Sequence, residues 1–311
     1  MIAVLVGLII GIWQPIQTSI NSRLKVSIGS PYLASLFSFG TGTILLALFN
    51  FSIYHTMALF PSELFHTQPI WFWIGGAFGV IYLTSNILLF PNLGSVQTAI
   101  MPILGQIMMG LLIDNFALFG SMHQPFTWIR AIGALLVVAG VFGAVALNTY
   151  LTERKLKKKQ HHAKGLMLWR LLGIVAGMFS ATQTAINGHV GTVVESSLKS
   201  AFLSFFGGTI TLFIIVLILH PPLKLEKAAG GNPWWMWTGG IIGAFCVLGN
   251  AYIVPIVGTG LAVVIILVGV TTGSLIIDQF GILESKKNPI TIIQILSLLV
   301  MILGVVMIRL Y

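Results

Sequence analysis

The stretch QTSIN at residues 17–21 returns as QTAIN at residues 183–187, each time near the end of an apolar run. Sliding the sequence by 166 positions lays residues 1–46 on 167–212, so that Gly7 falls on Gly173 and Gly11 on Gly177. Ser38-Phe39 then falls on Ser204-Phe205, and Gly42-Thr43 on Gly208-Thr209. After a two-residue change in loop length the offset becomes 164, and Trp71, Trp73, Gly75, Gly76 and Gly79 fall on Trp235, Trp237, Gly239, Gly240 and Gly243. The same register carries Asn86, Pro91, Gly94, Gly105 and Asp114 onto Asn250, Pro255, Gly258, Gly269 and Asp278. The last apolar run of each half matches weakly, chiefly Gly140 with Gly304. The chain reads as a doubled unit.

Composition says where that unit lives. Of 311 residues, 57% are hydrophobic and 7% charged, whereas a soluble domain carries about a quarter charged residues. A water-facing surface cannot be built from so few, and an integral membrane protein is expected. Apolar runs near 20 residues, enough to cross about 30 Å of hydrocarbon as helix, lie at 1–21, 32–52, 70–90, 93–113, 127–148, 167–187, 198–219, 234–254, 257–277 and 289–309. They are continuously apolar, where a β-barrel would show short alternating segments. The first run lacks a basic n-region and a small-residue cleavage site, and reads as a retained helix. The expected fold is an all-α membrane protein of ten transmembrane helices. Its units are a first repeat at 1–148, a basic linker at 149–166 and a second repeat at 167–311.

Five spans per half is an odd number, so the second half is expected to lie upside down relative to the first. Placing the linker in the cytoplasm puts thirteen cations inside: Arg23, Lys25, Arg154, Lys155, Lys157, Lys158, Lys159, Lys164, Arg170, Lys224, Lys227, Lys286 and Lys287. Three, Arg130, Lys199 and Arg309, fall outside. That bias fits the positive-inside rule and puts both termini outside a bacterial cytoplasmic (inner) membrane. It also accounts for the net charge of +9 without a nucleic-acid partner; the expected partners are the bilayer and a small solute. His161 and His162 in the linker are a weak metal signal, and no metal or cofactor is expected. Cys246 is the only cysteine, so no internal disulfide forms.

Trp13, Gln17 and Asn21 are spaced i, i+4, i+8 and share one helical face; Phe179, Gln183 and Asn187 repeat the spacing. An amide left unpaired in hydrocarbon costs roughly 4–8 kcal/mol, so both stripes must face protein or water. Interhelical hydrogen bonds worth about 0.6 kcal/mol each are one outcome. A cavity in which amides meet a polar solute and aromatics cover its apolar part is the other, and pseudo-symmetry favours it. The expected substrate-binding set is Trp13, Gln14, Gln17, Asn21, Phe179, Gln183 and Asn187, with Asn86, Asn250, Gln97 and Gln106. Pro15 is expected to kink the first helix beside the stripe by freeing the Gly11 carbonyl; Ala181 stands at the matching position. Gly7-x-x-x-Gly11, Gly173-x-x-x-Gly177 and the G-G-x-x-G groups read as close helix contacts.

Asp114 and Asp278 end helices, where a carboxylate opposes the macrodipole and needs a partner. Arg130 is expected to serve Asp114, and Lys286 or Lys287 to serve Asp278, as interfacial anchors or else as gate or proton sites. All seven acidic residues fall in loops or near helix ends, away from mid-membrane positions where proton relays and cation counter-ions occur. A neutral, zwitterionic or anionic solute is therefore expected.

The paired Q-T-[SA]-I-N and S-F-x-x-G-T segments and the W-x-G-G-x-x-G…N-x-x-x-x-P-x-x-G blocks resemble the drug/metabolite transporter superfamily in its YdcZ-type branch. The resemblance covers nearly the whole chain and implies multi-pass inner-membrane transport of small molecules. Small multidrug-resistance relatives carry a glutamate in the first helix; Gln14 and Gln17 stand here, so their proton exchange does not carry over. Ten-helix exporters commonly keep both termini in the cytoplasm, whereas the charge count here places them outside. A channel-like facilitator and a non-transporting scaffold are the alternatives. No H-E-x-x-H or G-x-S-x-G motif and no embedded His–carboxylate pair points to an enzyme. A monomer suffices, since the fusion supplies both halves, and a homodimer is the other possibility.

Overall fold

The computed structural model describes residues 2–56, 59–121, 123–144, 165–223, 231–257, 259–285 and 287–310. The side chains of 251, 252, 254–262, 309 and 310 fall outside that description, as do the linker with His161 and His162, Gly258, and Lys224, Lys227 and Lys286. Among the described residues all regular structure is helical. The main helices are α1 (Ile2–Ile28), α2 (Pro31–Tyr54), α3 (Gly75–Phe116), α4 (Trp128–Phe142), α5 (Leu166–Val193), α6 (Ser197–Leu219), α7 (Gly239–Val257), α8 (Thr259–Phe280) and α9 (Ile292–Leu310). α3 is two helices in one run: Gly94, at φ 76 and ψ 176, breaks it into arms 75–93 and 95–116.

Each apolar run read from the sequence carries helix. Among the described residues, six helices are long and apolar enough to cross a membrane, while Trp128–Phe142, Gly239–Asn250 and Ile292–Ile308 are shorter apolar helices. Helix ends follow local chemistry more than hydropathy. α1 continues past its expected end at Asn21 to Ile28, where Gly29 turns left-handed at φ 80 and returns its N–H to the Lys25 carbonyl, a conformation that costs glycine little. Ser30 then caps α2 by accepting from the Leu33 N–H, with Pro31 in its first turn, where a proline sacrifices no helical hydrogen bond. Ser196 caps α6 in the same way through Lys199.

α1 packs on α7 and α8, α5 packs on α3, α2 on α6, and α4 on α9. One of these pairings brings residues against their own sequence counterparts. Phe39 meets Phe205 with ring centroids 5.2 Å apart, and the Thr43 and Thr209 hydroxyls lie 2.8 Å apart. Between α4 and α9 the contacts are crossed: Gly133 lies against the Gly304 backbone and Gly140 against Ser297, the counterpart of Gly133. The turns that follow α3 and α8 also correspond. The N–H groups of Gln124 and Asn288 donate to the carbonyls of Asp114 and Asp278 at 2.8 and 2.7 Å. The Ser121 and Ser285 hydroxyls donate to the carbonyls of Ile113 and Ile277.

Candidate functional site

The two amide stripes meet glycine. A side chain on Gly243 would overlap the Gln17 amide, and one on Gly239 would overlap Asn21. In the other half, one on Gly79 would overlap Gln183, and a Cβ on Gly75 would lie 3.1 Å from Asn187 Oδ1. The G-G-x-x-G groups thus leave room for the Q-x-x-x-N stripe of the opposite half. Asn21 Nδ2 donates to Ser38 Oγ at 3.1 Å, and Asn187 Nδ2 to Ser204 Oγ at 3.1 Å, with Gln183 Nε2 joining Ser204 Oγ at 3.0 Å. Of the two outcomes open to the stripes, Asn21 takes the interhelical one: it is wholly buried, and its Oδ1 has no hydrogen-bond partner. Gln17, Gln183 and Asn187 are half-buried.

A second polar group forms near the middle of the helices. Tyr82 lies near the side chains of Asn86 and Gln106, and Gln106 Nε2 donates to Ser180 Oγ at 3.1 Å. The second arm of α3 is thereby joined to the centre of α5, one half of the sequence to the other. Cys246, the counterpart of Tyr82 at the 164-residue offset, stands close to it and points its thiol at the Ile10 carbonyl at 3.7 Å. Asn86 is buried with its Oδ1 unpaired, and the Ser35 and Thr84 hydroxyls pair at 2.8 Å beside it. Sequence comparison missed Tyr82 because its counterpart is a cysteine. The available signal was its place one helical turn before Asn86.

The remaining expected residues scatter. Trp13 is 37% exposed and edge-on to Phe245 at 6.1 Å, whereas Phe179 stacks on Phe78 at 5.4 Å. Gln14 and Asn250 are half-buried, and Pro15 lies within a helix that runs unbroken from Ile2 to Ile28. Gln97 stands apart from the centre, at the start of the second α3 arm, where its Oε1 accepts from Arg170 Nε at 3.2 Å.

At the helix ends, buried Arg130 approaches Asp114 Oδ2 at 3.7 Å and also bonds Gln124. Among the described residues Asp278 is met by backbone amides. It is 1% exposed, and its carboxylate accepts the backbone N–H groups of Ser95 at 2.8 Å and Val96 at 3.1 Å. The break at Gly94 exposes the first amides of a new helix, and a carboxylate is the natural cap for them. Lys286 lies outside the described residues. A third charged node escaped the sequence reading. Arg23, buried at the end of α1, bonds Glu284 at 2.6 Å, Ser27 Oγ at 2.9 Å and the Gly231 carbonyl, while Ser27 Oγ donates to Asn232 Oδ1 at 2.8 Å. The counterpart of Arg23 is His189, which instead faces the Trp71 ring at 5.2 Å. Among the described residues no group of three His, Cys, Asp or Glu side chains is arranged to hold a metal ion.

The model of the family described as "Putative inner membrane exporter, YdcZ" matches residues 2–143 and 168–307. The chain belongs to the YdcZ family. The two matched segments fall on either side of the basic linker, as the doubling of the sequence requires of a two-half member of this branch of the drug/metabolite transporters. Among curated proteins none matches. A solved structure described only as "Crystal structure of protein" matches over 99% of this chain and 97% of its own length, with TM-score 0.62 and 16% sequence identity. At that identity the likeness is one of fold.

Proposed function

We propose that the chain is a multi-pass inner-membrane transporter of a small metabolite or drug-like solute, working by alternating access between two inverted five-helix halves. The membrane family and the helical architecture support transport. The contacts between sequence counterparts on α2 and α6, and the matched turns after α3 and α8, support a two-fold relation between the halves. The charge bias supports ten crossings, with the 149–166 linker in the cytoplasm and both termini outside. Inverted repeats of this kind carry their site near the bilayer midplane, where the halves meet.

The observation that carries the reading is the mid-span hydrogen bond from Gln106 to Ser180, which bridges α3 of one half and α5 of the other, with Tyr82 and Asn86 near it. Its groups are neutral donors and acceptors, suited to a neutral, zwitterionic or anionic solute. The glycine faces under Gln17, Asn21, Gln183 and Asn187 are smooth surfaces on which one half can rock. Arg23 with Glu284 at one end and His189 with Trp71 at the other occupy matched positions, where each would close one mouth in turn. The family description makes export the direction to test first.

The test is ligand-induced thermal stabilisation of the purified protein against a metabolite and drug library, comparing wild type with Tyr82→Phe and Gln106→Ala. A ligand at a hundred times its dissociation constant adds about 2.7 kcal/mol. A hit weakened in both variants, followed by counterflow in proteoliposomes, establishes the reading. Hits retained in both place the site elsewhere. Non-saturating flux without counterflow favours a facilitator, and binding and flux both absent across the library favour a scaffold.

A further inference from the structure

Beside the polar centre lies a cavity that the transport reading does not use. It has a volume of about 400 Å³, is open rather than enclosed, and is formed by Val6, Ile9, Ile10 and Trp13 of α1, Phe49 of α2, and Phe245, Leu248 and Gly249 of α7. That volume falls within the range of roughly 300–1,000 Å³ typical of ligand pockets. No lining side chain is polar apart from the Trp13 indole. Phe245 stands edge-on to both Trp13 at 6.1 Å and Phe49 at 6.3 Å, so three aromatic rings share one wall.

Two features point to an occupant. Tryptophan in membrane proteins gathers at the water interface, where its N–H stays wet; Trp13 instead sits near the middle of α1, partly exposed into the cavity. Polar residues also stand close by along the same two helices. Gln14 adjoins Trp13, Gln17 is one turn further along the same face, and Cys246 adjoins Phe245. The matched positions in the other half are built differently. Phe179, the counterpart of Trp13, is stacked on Phe78, and the counterparts of Leu248 and Gly249 are the hydroxyl residues Thr84 and Ser85.

An open apolar slot with amides within one helical turn of its wall suits a molecule that is half of each kind. We propose that the cavity holds the apolar chain of an amphiphile from the bilayer, whose uncharged, hydrogen-bonding head lies toward Gln14 and Gln17. The chain then stays in an apolar medium while only the head crosses the polar centre, which avoids carrying a tail through amide groups. This deepens the transport reading above and rests on it for the claim that the amphiphile is a substrate.

The test uses full-length protein in dioleoylphosphatidylcholine proteoliposomes, with dibrominated stearamide as quencher. The Trp13 signal is isolated as the difference between wild type and Trp13→Phe. Quenching should saturate, be displaced by stearamide, and be displaced poorly by methyl stearate, which has no donor head. Phe245→Ala should weaken binding about tenfold, the scale of one lost aromatic contact, and Val6→Phe should abolish it by filling the slot. Quenching that rises linearly, matches that from a brominated phospholipid and ignores both substitutions overturns the proposal; equal displacement by amide and ester overturns the head assignment. Saturable binding with no stearamide flux would leave the cavity assigned and refute its use in transport. Flux of a polar solute that is insensitive to stearamide and to Val6→Phe would keep transport and refute the cavity.

Discussion

Asp278→Ala is the most direct test of how this membrane fold tolerates a broken helix. The Asp278 carboxylate takes the N–H groups of Ser95 and Val96 at 2.8 and 3.1 Å, and both amides lie in buried residues. Each buried donor left without a partner costs about 1–3 kcal/mol, so the alanine variant should lose about 2–6 kcal/mol. Asp278→Asn retains one acceptor oxygen but turns an NH2 toward the second amide, and should lose roughly half as much on the same scale. Two readouts apply: thermal unfolding of the detergent-purified protein by loss of its monodisperse peak, and hydrogen exchange across residues 94–98. The alanine variant should melt earlier and exchange faster at Ser95 and Val96, with asparagine between it and wild type. Wild-type melting together with protected Ser95 and Val96 amides in the alanine variant would refute the argument that the carboxylate holds this helix start.

Three further predictions concern the contacts between the halves. Gly105→Ala and Gly177→Ala would drive a methyl group into the backbone carbonyls of Ile174 and Pro102 and should each cost about 1–3 kcal/mol by overpacking, read as earlier melting; Gly40→Ala and Gly188→Ala, with nothing within 4 Å of the added carbon, should melt like wild type. Thr43→Cys with Thr209→Cys, whose present hydroxyls are 2.8 Å apart, should cross-link α2 to α6 in a Cys246→Ala background, seen as a linked band after cleavage in the 149–166 linker; no link under oxidation would exclude the pairing. Glu284 is 44% exposed, so Glu284→Gln should cost under about 1 kcal/mol, whereas Arg23→Ala, which also strips the Ser27 and Gly231 contacts, should melt clearly earlier; equal melting would contradict a buried Arg23 node.

Most of the helices were legible because composition and hydrophobic run length act locally. The Q-x-x-x-N stripes were legible as faces, since spacing alone sets a helical face. Whether those faces met glycine, water or solute was not, because that depends on how helices of opposite halves are offset along their axes. Asp278 shows the same limit. Its charge and its position near a helix end are in the sequence; that the break at Gly94, in a helix distant along the chain, supplies backbone amides to it is not. Tyr82 was hidden because a repeat comparison highlights what the halves share, and Tyr82 stands where they differ, opposite Cys246.

The sequence by itself determined a helical membrane chain of two matched halves, since too few charges exist to face water and identical spacings recur at fixed offsets. Only the tertiary structure decided which polar groups are mutually satisfied, which glycines are pressed against a neighbouring helix, and where a cavity opens beside Trp13. Those are properties of contact between segments far apart along the chain, and contact is set by how whole helices pack.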